Sequence, residues 1–145
     1  MKLGVRLIYG DWRDVAKEAI LVRKEVFQGE QKVDPALDFD DKDIICKHVV
    51  LYYENKPVGT GRIDPSGKIG RVAVLNKFRK SGHGRTIVLF LEKIAKESGG
   101  LRVWCHAQKQ AEGFYLKLGY EKRGDTFLEA GIEHRDMEKE LTAIR

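Results

Sequence analysis

The sequence predicts an α/β protein, a mixed sheet of about seven strands with helices on both faces. Three observations carry that expectation. The hydrophobic period alternates between two and about 3.6 along the chain. Hairpin signals fill the middle of the sequence, whereas strand–helix–strand order follows later. A chain of 145 residues with 42% hydrophobic content supplies one packed core, so residues 1–145 are expected to form a single domain.

Residues 2–9 alternate, with Leu3, Val5, Leu7 and Tyr9 on one side, which suits a half-buried first strand. Asp11 is placed to cap a helix over Trp12–Phe27, whose apolar residues Val15, Ala16, Ala19, Ile20 and Val22 recur at helical spacing. Gly29 is expected to end it. The segment EQKVDPALDFDDKD, residues 30–43, reads as a surface loop or a short broken helix. From Cys46 three strands follow as a meander: Cys46–Glu54, Pro57–Ile63 and Lys68–Leu75, with turns at Asn55-Lys56 and Pro65-Ser66-Gly67. A helix over Thr86–Glu97 is stopped by Ser98-Gly99-Gly100, and a short strand follows at Leu101–Cys105. Lys109–Leu118 forms an amphipathic helix capped by Gly119, and Tyr120–Phe127 with Glu133–Leu141 closes the chain as a strand pair. The strands at 68–75 and 101–105, joined through a helix, are expected to be parallel neighbours with a right-handed crossover.

The composition excludes several classes. The longest apolar runs are too short to cross a bilayer, and Arg6 interrupts any signal-peptide core, so the sequence predicts no membrane association. Two cysteines, Cys46 and Cys105, make no disulfide framework, and a cytoplasmic location with reduced thiols is the expectation. The net charge of +5 is uneven: residues 1–45 carry −2, residues 46–85 carry +7, and the remainder is neutral. Aromatics fall mostly at core-facing positions, which argues against a nucleic-acid partner.

The basic stretch ends in Arg79-Lys80-Ser81-Gly82-His83-Gly84-Arg85, just before a helix. Glycine allows close approach to the main chain, and a helix N-terminus offers unpaired N–H groups to an anion such as a pyrophosphate. A Walker loop is absent, and a dinucleotide fingerprint fails because Ile87 stands where the third glycine belongs. A polar turn entering a helix is the remaining simple reading.

The next element, Ala111-Glu112-Gly113-Phe114-Tyr115-Leu116-Lys117-Leu118-Gly119-Tyr120, decides between these. Together the two segments resemble the GNAT family of acyl-CoA-dependent N-acyltransferases. Its loop, Arg/Gln-x-x-Gly-x-Gly, looks like Arg79 to Gly84, and its Ala-x-x-Phe-Tyr-x-x-x-Gly-Phe/Tyr motif looks like Ala111 to Tyr120. Arg23-Lys24-Glu25-Val26-Phe27 with Glu30-Gln31, then His106-Ala107-Gln108, then Gly131-Ile132-Glu133-His134 with Met137, resemble a branch of small bacterial GNAT proteins related to ElaA and YjcF. That branch usually has proline where Glu133 stands.

The resemblance implies acetyl-CoA as cosubstrate, an amine acceptor (a small amine or a protein amino group) and transfer without an acyl-enzyme. It implies that residues 79–85 hold the pyrophosphate and that backbone groups of Val72, Ala73 and Val74 hold the pantetheine where the two parallel strands splay. Gln108 and Tyr115 complete the implied coenzyme set. Tyr115 is the candidate proton donor to the departing thiolate, a phenol of pKa ~10 being able to do this at neutral pH; by spacing alone it also reads as a core aromatic beside Phe114. The strand glutamate that many members use as base is replaced by Gly70 and Arg71. Glu30, His48, His106 and His134 are therefore the candidate bases. His83 is assigned to phosphate binding or to solvent.

Adjacent strand residues point to opposite faces, so Cys105 and His106 make no nucleophile pair, and no metal-ligand spacing is present. The acids Asp34, Asp38, Asp40, Asp41 and Asp43 form either a rim for a cationic amine or a solvated loop. The missing glutamate also admits a catalytically silent acyl-CoA sensor. The sequence does not fix the acceptor or the oligomeric state, and a homodimer is compatible with it.

Overall fold

The computed structural model describes residues 4–141. Strand β1 (Val5–Asp11) leads into α1 (Trp12–Arg23), whose start is fixed by the Asp11 N–H donating to the Asp14 carboxylate at 3.0 Å. Leu3 lies outside the described residues. Helix α1 does not stop at Gly29 but continues as a π-helical segment, Lys24–Glu30, that holds Gly29 inside it. The wider turn re-aims the side chains at its end. A short α2 (Pro35–Asp38) and a single 3₁₀ turn (Asp41–Ile44) follow, each opened by an aspartate, Asp34 or Asp40, that accepts from a backbone N–H two residues on.

The meander forms as expected, β2 (Lys47–Tyr53), β3 (Lys56–Ile63) and β4 (Lys68–Val74), all antiparallel. Helix α3 (His83–Glu97) begins about one turn before the expected Thr86, because Gly82 takes φ +82° and opens the first turn at His83. Strand β5 (Arg102–Gln108) runs three residues past Cys105: Val103, Cys105 and Ala107 point inward in unbroken alternation. A 3₁₀ turn precedes a brief α4 (Glu112–Lys117), Gly119 follows at φ +96°, and β6 (Glu121–Glu129) with β7 (Ile132–Glu140) closes the chain.

The seven strands order as β1-β2-β3-β4-β5-β7-β6, mixed because β4 and β5 alone pair parallel. Helices α1 and α3 cover opposite faces of the meander. Val50 packs with Val15 and Ala19 of α1. Gly59 and Gly61 lie beneath α3, where a Cβ would stand 2.7 and 2.9 Å from Ile87 carbons, so glycine sets how closely this helix approaches. The main core, including Val49, Leu51, Ile69, Ile87, Leu91 and Val103, is buried between sheet and helices.

Candidate active site

Strands β4 and β5 pair only at Lys68–Trp104 and Ile69–Cys105 and then part. Arg71, at φ +50°, forms a bulge as β4 leaves its partner. Leu75 N–H donates to Val58 of β3; by alternation Ala73 also faces β3, while the peptide groups of Val72 and Val74 turn to the side β5 has left. The Val74 carbonyl already accepts from Arg79 Nε at 2.8 Å.

Two cavities meet at this split, and Val72 lines both. The first, about 590 Å³, runs along Val72, Ala73 and Val74 to the N-terminus of α3, where Arg79, Lys80, Gly82, His83, Gly84 and Arg85 line it with Phe114, Lys117 and Leu118. The opening turn of α3 presents backbone N–H groups without helical partners, and the basic side chains add positive charge. A Cβ at Gly84 would touch the Phe114 ring at 3.4 Å, which ties the loop to α4. These features suit a diphosphate on an extended arm. Ser81 is not part of the lining.

The second cavity, about 370 Å³, lies on the other side of Val72 and is walled by side chains from β4, β5, the β6–β7 tip and residues 31–46. The acidic segment divides: Asp34 and Asp41 are exposed to solvent, whereas Asp38, Asp40 and Asp43 are committed to arginines. Asp38 and Asp43 are 1% and 2% exposed, and both pair with Arg23, itself 1% exposed, at 3.1 and 2.9 Å. Arg62 reaches Asp40 and Asp43, both at 2.7 Å, and Arg71 donates to the carbonyls of Leu37 and Asp38 and to Asp40. Three arginines thus balance three aspartates. Burial opposes ionisation of Asp40, but the Arg62 guanidinium outweighs it and holds the carboxyl at about 2. Part of the basic surplus of residues 46–85 therefore faces this network and not the α3 loop.

Tyr115 and Gln108 line the second cavity, not the first. Tyr115 is 7% exposed, and its hydroxyl lies beside the Cys105 thiol. Burial and the neighbouring thiol push the phenol above its ordinary range, so it keeps its proton at neutral pH. Burial likewise pushes the Cys105 thiol up to about 12, which leaves it a poor nucleophile. Gln108 exchanges amide hydrogen bonds with Gln31, anchoring the π-helical segment to β5.

The candidate bases are scattered. His48 is 1% exposed, bonds the Asp43 carbonyl at 2.8 Å beside Trp12 and lines neither cavity. Glu30 also lies outside both linings, its two oxygens each 2.6 Å from Arg79, whose hydrogen bonds lower its pKa. His106 and His134 both line the second cavity, together with Glu129, which sequence reasoning missed. His106 Nδ1 is 2.9 Å from Glu129 Oε1, and its Nε2 faces Asp136 at 3.2 Å. His134 Nδ1 lies 2.6 Å from the Ile132 carbonyl, which assigns the ring proton there and leaves Nε2 as an acceptor. That nitrogen stands 3.9 Å from Glu129 Oε2, too far for a hydrogen bond. An ammonium group placed there would donate to both. Only the hairpin brings Glu129 to these rings; an acid before the turn Ala130-Gly131 is no signal by itself. No cluster of three His, Cys, Asp or Glu side chains among the described residues is arranged for a metal ion.

Comparison with known proteins agrees with this geometry. The model of the Acetyltransferase (GNAT) domain matches residues 16–141. YyaT of Bacillus subtilis is 44% identical over 131 residues, covering 86% of this chain and 88% of its own. The uncharacterized N-acetyltransferase YjcF of the same organism is 41% identical, covering 86% and 91%. The crystal structure of Escherichia coli ElaA superposes with a TM-score of 0.81 over 93% of this chain and 99% of its own, at 22% identity, which speaks to the fold.

Proposed function

The chain belongs to the GNAT family of acetyltransferases, in its ElaA/YjcF-like branch, and from that premise we propose that it transfers an acetyl group from acetyl-CoA directly to an amine. The observation that carries the reading is the meeting of the two cavities at Val72, where β4 and β5 part. The diphosphate would lie on the N–H groups of His83, Gly84 and Arg85 beside Lys80 and Arg85. The pantetheine would pass the peptide groups of Val72 and Val74, which can also polarise the thioester carbonyl. Ala73 and the Val74 carbonyl are left out of this role, being engaged with β3 and Arg79.

The acceptor would enter from the second cavity with its ammonium between His134 Nε2 and Glu129 Oε2. His134 takes one ammonium proton and later passes it to solvent; the freed nitrogen attacks the thioester carbon, the C–S bond breaks as the thiolate takes the Tyr115 proton, and the second proton shed by the nitrogen as the amide forms restores the phenol. His106 orients Glu129. The low pKa of Glu30 weighs against it as the base, and the raised pKa of Cys105 weighs against an acyl-enzyme.

The test is thermal. Acetyl-CoA is expected to raise the melting temperature, and Gly82→Asp to abolish the shift, because a carboxylate beside the diphosphate and a side chain in the left-handed region together should weaken binding by about a hundredfold or more. No shift with the wild type at millimolar acetyl-CoA would remove the reading. Binding without thiol release across a broad amine panel would favour the silent sensor.

A further inference from the structure

Among the described residues, a partly buried cation of the acceptor cavity has no ion-pair partner. Arg23, Arg62 and Arg71 are balanced by Asp38, Asp40 and Asp43, and that network closes on itself. Lys68, on β4 one strand away from His106, lines the same cavity, yet no carboxylate among the described residues comes within ion-pair distance of its ammonium. Its ammonium lies over the Trp104 ring, 5.2 Å from the ring centre. Burial lowers its pKa, and Glu129 and Asp64 attract the ammonium only from beyond ion-pair distance. Across the cavity, Glu129 Oε2 and His134 Nε2 offer two acceptors with a gap between them. The Lys68 ammonium and the Glu129–His134 pair thus line one cavity without closing an ion pair between them.

We propose that the acceptor is a small amphoteric amine, its anionic group, carboxylate or phosphate, bound by Lys68 and its amine held between Glu129 and His134. The spacing fits this class: β4 and β7 are separated by β5 alone, about 10 Å at the backbone, and side chains shorten the reach to a few bonds. The inference builds on the acetyltransfer reading above and names its substrate class. A polyamine would set a second cation against Lys68, and an unsubstituted alkylamine would leave that ammonium unanswered.

The experiment measures kcat/KM by thiol release from acetyl-CoA with chain-matched acceptors: an ω-amino carboxylic acid, an aminoalkyl phosphate, an alkylamine and a diamine. Wild type is expected to prefer one anionic arm over the alkylamine by about tenfold or more, the scale of a hydrogen bond to a charged group, and the preferred arm identifies carboxylate or phosphate. Lys68→Met is expected to bring that ratio to within about threefold of unity, while Lys68→Arg keeps most of it. Melting temperatures of both variants establish that they fold. Equal or better turnover of the alkylamine or diamine by wild type, or a ratio untouched by Lys68→Met, would overturn the proposal. So would silence of both anionic arms while acetyl-CoA still raises the melting temperature. Absence of that thermal shift would instead overturn the acetyltransfer reading beneath it.

Discussion

On the α3 side of Val72 the cavity wall is made of main chain, glycine and basic side chains drawn from one continuous stretch, residues 72–85 with α4 beside it. On the other side the wall is assembled from segments as distant in sequence as 27–46 and 129–134, and its charges are mostly tied to one another. The first design binds by backbone geometry and tolerates variation in side chains. The second depends on each partner being present, so a single substitution there disturbs both fold and site. Within one fold the two cavities therefore differ in their sensitivity to mutation and pH.

The largest expected effect comes from opening the buried network. Arg23→Met leaves Asp38 and Asp43 buried without that partner and should cost about 3–5 kcal/mol, seen as a fall of roughly 10 °C or more in melting temperature. The protein that remains folded should still respond to acetyl-CoA. An unchanged melting temperature would dissolve the contrast between the two walls.

Next is Tyr115→Phe, expected to lower kcat by about a hundredfold with coenzyme affinity altered by no more than about threefold, as for loss of a general acid. Steady-state kinetics alongside calorimetric titration separates the two quantities, and unchanged kcat would return Tyr115 to the role of a core aromatic packed on Phe114 and Tyr120.

The smallest effect is acid sensitivity. Because Arg62 holds Asp40 at about 2 against an ordinary 3.8, its ionised form stabilises the folded state above about pH 4, and that contribution, about 2 kcal/mol, is lost as pH falls through 2. Denaturant titrations of wild type and Asp40→Asn between pH 5 and pH 2 should converge; parallel curves would place the acid response elsewhere.

The same contrast governs what the sequence made legible. The first cavity is local, so its lining residues Gly82, Gly84 and Phe114 fall within the two short segments that stand out in the sequence. Strand alternation and helical period gave the element order, and the parallel pairing of β4 with β5 followed from the helix that joins them. The second cavity depends on pairings 15 to 20 residues apart or more, which charge counts do not encode: five aspartates in 34–43 look the same whether solvated or matched to buried arginines. The π-helical continuation past Gly29 has no periodic signature, and Glu129 acquires meaning only when the hairpin sets it against His106 and His134.

In the proposed reaction both cavities are occupied at once, and the acetyl group crosses at Val72 without stopping on the protein. Initial rates measured with acetyl-CoA and an accepted amine both varied test it most directly. Double-reciprocal lines that intersect are the predicted result, the signature of a ternary complex; parallel lines, the pattern of an acyl-enzyme, would contradict the account.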